Sequence, residues 1–226
     1  MLKRRLLFFC FLITFFTSQA GIKDTISYYL KNKYPELIGG LSGRNTFIGS
    51  QKTSITGVSV GALYGNKVRL TFGVYNLSKP LVERKTINAY TPSEHTVDET
   101  SNFWYFGLTG GYVFFKQKRW TLDVPVRIGF GAANIKQYDI GTNKRLIEEN
   151  NFLIIPVESG IGVQYKIAWW IGLGAGLGSR IVVGKSRSQK FSGTYYNFGI
   201  NINFSEIYFH IRDDMKKNPV KKPIRK

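Results

Sequence analysis

The stretch Gly193-Thr-Tyr-Tyr-Asn-Phe-Gly-Ile-Asn-Ile-Asn-Phe204 reads as a strand, with Asn197, Gly199, Ile202 and Phe204 in the spacing polar-x-Gly-x-x-hydrophobic-x-aromatic. Alone it would be one strand among many. Its weight comes from the segments upstream, which alternate apolar and polar residues at period two. In Arg119–Gly131 the residues Trp120, Leu122, Val124, Val126, Ile128 and Phe130 make one face, and Arg119, Thr121, Asp123, Pro125, Arg127 and Gly129 the other. An amphipathic helix would not hold so strict an alternation.

The same reading extends along the chain. Val68, Leu70, Phe72 and Val74 alternate with Arg69, Thr71, Gly73 and Tyr75. In Leu153–Tyr165 an apolar face of Leu153, Ile155, Val157, Ile161 and Val163 opposes Pro156, Glu158, Gly160, Gly162 and Gln164. The glycines at 172, 174, 176 and 178 do not satisfy Gly-x-Gly-x-x-Gly and no helix pattern follows, so they read as the inward row of a strand, not a phosphate loop. They leave room for bulky groups opposite, such as Phe103 and Tyr105, while Trp104, Phe106, Leu108, Tyr112 and Phe114 point outward. Tight turns at Gly65-Asn66, Lys116–Lys118 and Ile167-Ala168 alternate with longer polar connections at Ser78–Ser101, Gln137–Asn150 and Lys185–Ser192.

A strand that crosses a bilayer needs about 9 to 11 residues, with alternate side chains facing lipid and lumen. The closing spacing of Asn197, Gly199, Ile202 and Phe204 resembles the sorting signal of bacterial outer-membrane barrels, a resemblance that implies recognition by the barrel assembly machinery. The runs Leu122-Asp-Val-Pro-Val and Leu153-Ile-Ile-Pro-Val are similar to strands of small OmpA-like and PorT-like outer-membrane barrels, over most of residues 37–204. The expected fold is all-β: an antiparallel transmembrane barrel of eight strands near 37–48, 53–64, 67–77, 102–115, 119–135, 151–166, 169–183 and 193–204. Short turns then face the periplasm and long loops the exterior. Tyr64, Phe114, Trp120, Tyr165, Trp169 and Trp170, all beside short turns, form the expected periplasmic aromatic belt. Pro125 and Pro156 sit mid-strand, where bulges are expected. Ile207, Phe209 and Ile211 continue an alternation past Phe204, either as a strand extension or as the start of a ten-stranded arrangement.

Residues 1–20 read as an export signal: Lys3, Arg4 and Arg5, the apolar run Leu6–Phe16, and the small-x-small site Ser18-Gln19-Ala20. The only cysteine, Cys10, lies within that run, leaving the mature chain no thiol for disulfide or metal. Residues 21–36 form an N-terminal periplasmic segment in which Ile22–Tyr34 reads as a short amphipathic helix, and 205–226 a basic periplasmic tail. Its last eleven residues, with Lys216, Lys217, Lys221, Lys222, Arg225 and Lys226 broken by Pro219 and Pro223, are expected to be disordered. The formal charge of +18 falls to +15 without the three signal cations. An exported chain this basic points to anionic neighbours such as lipopolysaccharide or phospholipid headgroups, and export excludes nucleic acid.

Arg69, Asp123, Arg127, Glu158 and Arg180 all project to the expected lumen. Arg127 lies eight residues above the turn that starts its strand and Glu158 eight residues above the end of the adjoining one, so they sit at similar depth and make the expected mid-lumen ion pair, which either plugs the barrel or lines a gated ion path. Catalysis has little to work with. Lipid-modifying barrels need a histidine beside serine and an acid; His95, with Ser93, Glu94 and Asp98, is the one candidate, in a long outer loop, and His210 has no evident partner. No metal-ligand spacing stands out, and Glu148-Glu149 offers at most an adventitious cation site. The expectation is therefore a non-enzymatic barrel with a structural or interaction role in the envelope, or a subunit of a secretion or assembly complex, without cofactor or metal. Its expected contacts are outer-membrane lipid and lipopolysaccharide, the assembly machinery, and another envelope protein through the basic tail. A lipid-modifying enzyme using His95 and a narrow channel are the alternatives.

Overall fold

The computed structural model describes residues 19–32, 34–48, 51–87, 95–139, 146–184 and 186–217. Its elements are helix α1 (Gln19–Asn32), strands β1 (Pro35–Ile48), β2 (Gln51–Tyr64), β3 (Val68–Leu77), β4 (Leu81–Ile87), β5 (His95–Gln117), β6 (Trp120–Asp139), β7 (Leu146–Lys166) and β8 (Ile171–Gly184), a 3-10 turn (Ser186–Phe191), β9 (Gly193–Asn203) and helix α2 (Phe204–Lys217). Consecutive strands pair antiparallel except β3 and β4; β3 pairs instead with β5, and β9 with β1, so eight strands close into a ring and β4, paired only with β5, stands outside it. The chain is an eight-stranded antiparallel transmembrane barrel. Residues that open the tight turns accept left-handed backbone: Gly65 and Asn66 have φ of 54° and 59°, and Lys67 N donates to Tyr64 O at 3.0 Å, the geometry of a type I′ hairpin turn.

Burial runs opposite to that of a water-soluble protein. Leu108, Ile128, Leu153, Leu177, Ile181 and Phe198 are exposed, whereas Arg44, Asp123, Glu158 and Arg180 are each at most 3% exposed. A continuous apolar outside around a charged inside suits a bilayer and would be unstable in water. Phe103 and Tyr105 point inward and are buried, while Trp104, Phe106, Leu108 and Phe114 point outward.

The strands near the long loops run further than their alternation suggests. Residues 78–101, expected as loop, contain β4 paired with the start of β5, so that Leu81 faces Ser101 and Ile87 faces His95. Leu81 and Val97 are both buried, which is the force that folds the hairpin onto the barrel. β6 and β7 likewise extend to Asp139 and from Leu146. The alternation at Ile207, Phe209 and Ile211 is not strand: it lies in α2, which also takes in Lys216 and Lys217, and residues 218–226 lie outside the described residues. Asn203 initiates this helix by accepting from Glu206 N at 3.1 Å, a cap that closes the strand and starts the helix within one residue.

The expected bulges at Pro125 and Pro156 are absent. β6 and β7 keep one register past both prolines, Asp123 opposite Gly162, Arg127 opposite Glu158 and Gly131 opposite Ile154, with pairing interrupted only beside each proline. Both residues thus turn their donorless nitrogens to the same seam, where a missing bond costs less than a shifted register, which would flip every side chain beyond it. The register shifts occur at Val113/Phe115 and Gln137/Tyr138.

Candidate functional site

The long-loop half of the lumen is filled. Ile55, Tyr75, Leu77, Phe103, Tyr105, Ile135, Ile154 and Phe191 belong to one buried cluster there. Glycine makes room for the large rings: a Cβ at Gly57 would come within 2.0 Å of the Tyr75 ring. Tyr75 stacks on Tyr105 with centroids 5.1 Å apart, and Phe103 meets Phe191 at 4.9 Å.

Beneath this plug lies a layer of charge. The register places Arg127 opposite Glu158 and Glu158 opposite Arg180, so three adjacent strands contribute a row of alternating sign. Glu158 Oε2 accepts from Arg127 Nη1 at 2.7 Å and from Arg44 Nη1, reaching across from β1, at 3.0 Å. Glu158 Oε1 accepts from the Tyr105 hydroxyl at 2.6 Å and lies 3.7 Å from Arg180 Nη1. Tyr105 in turn accepts from Arg44 Nη1 at 2.8 Å. Arg44 and Arg127 flank the Tyr75 ring, each guanidinium carbon 4.3 Å from its centroid. Arg180 is fixed by donation from Nε to the Phe191 carbonyl at 2.8 Å. One carboxylate therefore faces three guanidinium groups.

Nearer the short turns, Arg69 Nη1 and Asp123 Oδ2 meet at 3.0 Å. The structure thus pairs Arg127 with Glu158, draws Arg180 into the same cluster, and gives Arg69 and Asp123 to each other. Sequence reasoning missed Arg44. It lies in the weakly alternating Leu37–Ile48 run, where glycines and serine on both faces hide the phase, and only its even spacing from Ser42 and Thr46 could have placed it inside.

A third group sits beyond the plug, in the part of β5 that projects past the membrane-facing rows. Glu99 accepts from Lys190 at 2.6 Å, from Lys85 at 2.9 Å and from Gln137 at 3.1 Å, tying β4, β5, β6 and the 3-10 turn together. Burial alone would raise its pKa, but the bonds from Lys190 and Lys85 outweigh it and hold the carboxyl at about 2.

The remaining candidates are scattered. His95 opens β5 opposite Ile87, Ser93 and Glu94 lie outside the described residues, and Asp98 accepts from Arg84 Nε at 3.1 Å. His210 does have partners: its ring packs on Trp169 with centroids 4.5 Å apart, and Nε2 lies 3.6 Å from Asp214. Glu149 accepts from Asn134 at 2.7 Å and pairs with Lys136 at 3.3 Å. No group of three or more metal-ligating side chains occurs among the described residues. Asn197 and Gly199 face the lumen, Ile202 lies opposite Gly39 in β1, and Phe204 is the first residue of α2 with its ring over Gly39. Trp120 and Tyr165, opposite each other at the short-turn end, have ring centroids 4.8 Å apart.

No protein-family model matches the chain, and no curated protein does. Solved structures similar to it include the N-terminal β-barrel domain of Pseudomonas aeruginosa OprF, at 14% identity and a TM-score of 0.45, covering 75% of this chain and 99% of that one. Neisserial surface protein A is similar at 12% identity and a TM-score of 0.46, over 75% of this chain and 96% of its own. Ail, the attachment invasion locus protein of Yersinia pestis, solved with the heparin analogue sucrose octasulfate, is similar at 8% identity and 0.42, over 75% and 96%. The barrel assignment rests on the closed strand ring itself.

Proposed function

We propose that this chain is a non-enzymatic outer-membrane barrel that serves as a structural or interaction module of the cell envelope, engaging partners at its ends and passing nothing through its centre. The observation that carries this reading is the filled long-loop half of the lumen, where Tyr75, Phe103, Tyr105 and Phe191 are each at most 2% exposed above the arginine layer. Membership of a larger secretion or assembly complex fits the same reading. Its contact would be the short-turn rim, periplasmic in the proposed orientation, where α2 presents exposed Tyr208, Phe209 and Ile211 and leads into the basic tail.

The test is stoichiometric recovery of an envelope partner with the full chain, followed through two truncations. Ending the chain after Lys217 removes Lys221, Lys222, Arg225 and Lys226 and is expected to make the contact weaker and less salt-sensitive; ending it after Ser205 keeps Phe204 and the Leu37–Ser205 bond, removes the rest of α2 and is expected to abolish the contact. Steady single-channel conductance of the purified barrel in planar bilayers would overturn the closed-lumen reading. A lipid A acyl pattern that changes with His95→Ala would overturn the non-enzymatic one.

A further inference from the structure

The lumen holds more positive charge than its own carboxylates balance. Among the described residues that face it between the Asp123 level and the plug, the cations are Arg44, Arg69, Arg127 and Arg180 and the anions Asp123 and Glu158, an excess of two. Guanidinium groups do not shed their protons at any ordinary pH, and burying unbalanced charge away from water is costly. No further carboxylate among the described residues lies at this level, which leaves water or an added anion to compensate the excess.

There is space for it beside the arginines. A cavity of about 130 Å³ is lined by Arg44, Arg69 and Arg127, by the carboxylates of Asp123 and Glu158 that pair with them, and by the amides of Gln164, Asn197 and Asn201. The inward rows of β7, β8 and β9 keep it open, because Gly160, Gly162, Gly174 and Gly199 contribute no side chain there. Arg69 Nε is shut off from solvent and has no hydrogen-bond acceptor. A second cavity of about 200 Å³ at the short-turn mouth shares Arg69, Gln164 and Asn201 with the first, and adds Lys116, Lys118, Arg119 and Lys166. Glu36 and Glu206 also line this mouth, but the cations outnumber them, so a net-cationic vestibule leads to the arginine layer.

We propose that this cavity binds a small free oxyanion of the phosphate class. Several acceptor oxygens on a compact, doubly charged body match guanidinium forks and carboxamide N–H groups, and the charge matches the excess. A monatomic halide supplies only one of the two charges and leaves most donors without a partner.

The test uses the full mature chain folded in micelles of a neutral detergent, titrated with inorganic phosphate, sulfate or chloride at constant ionic strength, with heat uptake and thermal unfolding as readouts. Phosphate and sulfate are expected to bind saturably with a ratio near one and to raise the unfolding temperature; chloride is expected to do neither. Glu158→Gln increases the cationic excess, so it is expected to tighten phosphate binding by at least about tenfold even though the barrel itself is weakened. Arg69→Gln is expected to weaken binding by about tenfold or more, the scale of one charge-assisted hydrogen bond. Should Arg69→Gln fail to fold, the uncharged Gln164→Leu serves in its place and is expected to lower affinity severalfold. Non-saturating stabilisation, equal effects of chloride and phosphate, or unchanged phosphate affinity in Glu158→Gln would each overturn the site.

Discussion

Replacing Glu158 by Gln tests the charged layer most directly, because the new side chain keeps the shape and removes only the charge. Glu158 is 1% exposed and takes bonds from Arg127 at 2.7 Å, Arg44 at 3.0 Å and Tyr105 at 2.6 Å. Breaking a buried ion pair from one side costs about 3 to 5 kcal/mol, chiefly through the charge left behind. The three arginines do not multiply that figure. Arg127, 14% exposed, and Arg44, 3% exposed, both border the cavity, where water or an anion relieves them, Arg127 the more, whereas Arg180, at 0%, does not border it and has no such relief. The expected loss for Glu158→Gln in phosphate-free buffer is therefore within about 3 to 5 kcal/mol. Glu158→Ala also strips the Tyr105 hydroxyl of its acceptor, a further loss of about 1 to 3 kcal/mol. Urea unfolding of the barrel in phospholipid vesicles, followed by tryptophan fluorescence and heat-modifiable mobility, measures both. Double-mutant cycles should give a larger coupling for Glu158 with Arg44 than with Arg127, since the first pair is drier. If Glu158→Gln lies within about 0.5 kcal/mol of wild type, the range of an ordinary surface substitution, and neither cycle shows coupling, the layer contributes nothing and the reasoning fails.

Gly57→Ala is expected to displace Tyr75, whose ring lies 2.0 Å from the added Cβ position, and to cost about 1 to 3 kcal/mol in the same assay; wild-type stability would show that the ring has room to move. Glu99 titrates at about 2 in the folded chain against an ordinary 4.5, so its stabilising effect is complete above pH 4.5 and disappears as pH falls through about 2. The β4/β5 hairpin should accordingly lose hydrogen-exchange protection only in strong acid, and Glu99→Gln should lose it at neutral pH; equal protection in wild type and variant would sink the clamp. Phe204→Ala is expected to reduce outer-membrane assembly in cells while leaving folding in detergent nearly intact, whereas Gly199→Val should impair both because a Cβ there comes within 2.6 Å of the Leu41 carbonyl; normal assembly of Phe204→Ala would remove the sorting role of that residue.

The barrel was legible in the sequence because lipid imposes a strict period: wherever one face meets hydrocarbon and the other glycine or polar groups, as in β3, β6 and β8, alternation marks the strand. That signal fades where both faces are apolar. In Phe152-Leu-Ile-Ile, Leu153 and Ile155 face out while Phe152 and Ile154 pack the plug, and sequence contrast alone does not reveal the plug. It also fades in β1, where small residues on both faces conceal Arg44. Helix α2 was misread for a related reason. Ile207, Phe209 and Ile211 fit period two over five residues, and only Phe204, Tyr208, Ile211 and Met215 at helical spacing, with the Asn203 cap, decide for helix. Arg127, Glu158 and Arg180 are identifiable as neighbours because they lie on the inward faces of three successive strands at matching depth; Arg44 approaches Glu158 from β1, further round the ring, and closure is not written in any local stretch.

The plug also bears on how the two ends work. Apolar packing inside the long-loop half continues into Leu77 and Leu81, both buried, so the β4/β5 hairpin is anchored by the same core that fills the lumen. Lys190 and Lys85 then hold Glu99 between the hairpin and the 3-10 turn. The β4/β5 hairpin and the 3-10 turn, packed on this core and clamped by Glu99, lose little conformational entropy when a partner arrives. At the opposite end the lumen is open, wet and cationic, and α2 is joined to the rim by Leu37 N donating to Ser205 Oγ at 2.7 Å and by the Trp169–His210 ring contact. The two ends therefore differ in kind: one is a rigid platform without an entrance, the other a charged mouth beside an amphipathic helix. An anion held in the proposed cavity would act on the far end by stiffening the arginines and Tyr75, Tyr105 and Phe191, which those arginines touch. Protection of the β4/β5 hairpin should thus rise when phosphate binds, and the rise should vanish in Gly57→Ala, where Tyr75 no longer links the arginine layer to the plug.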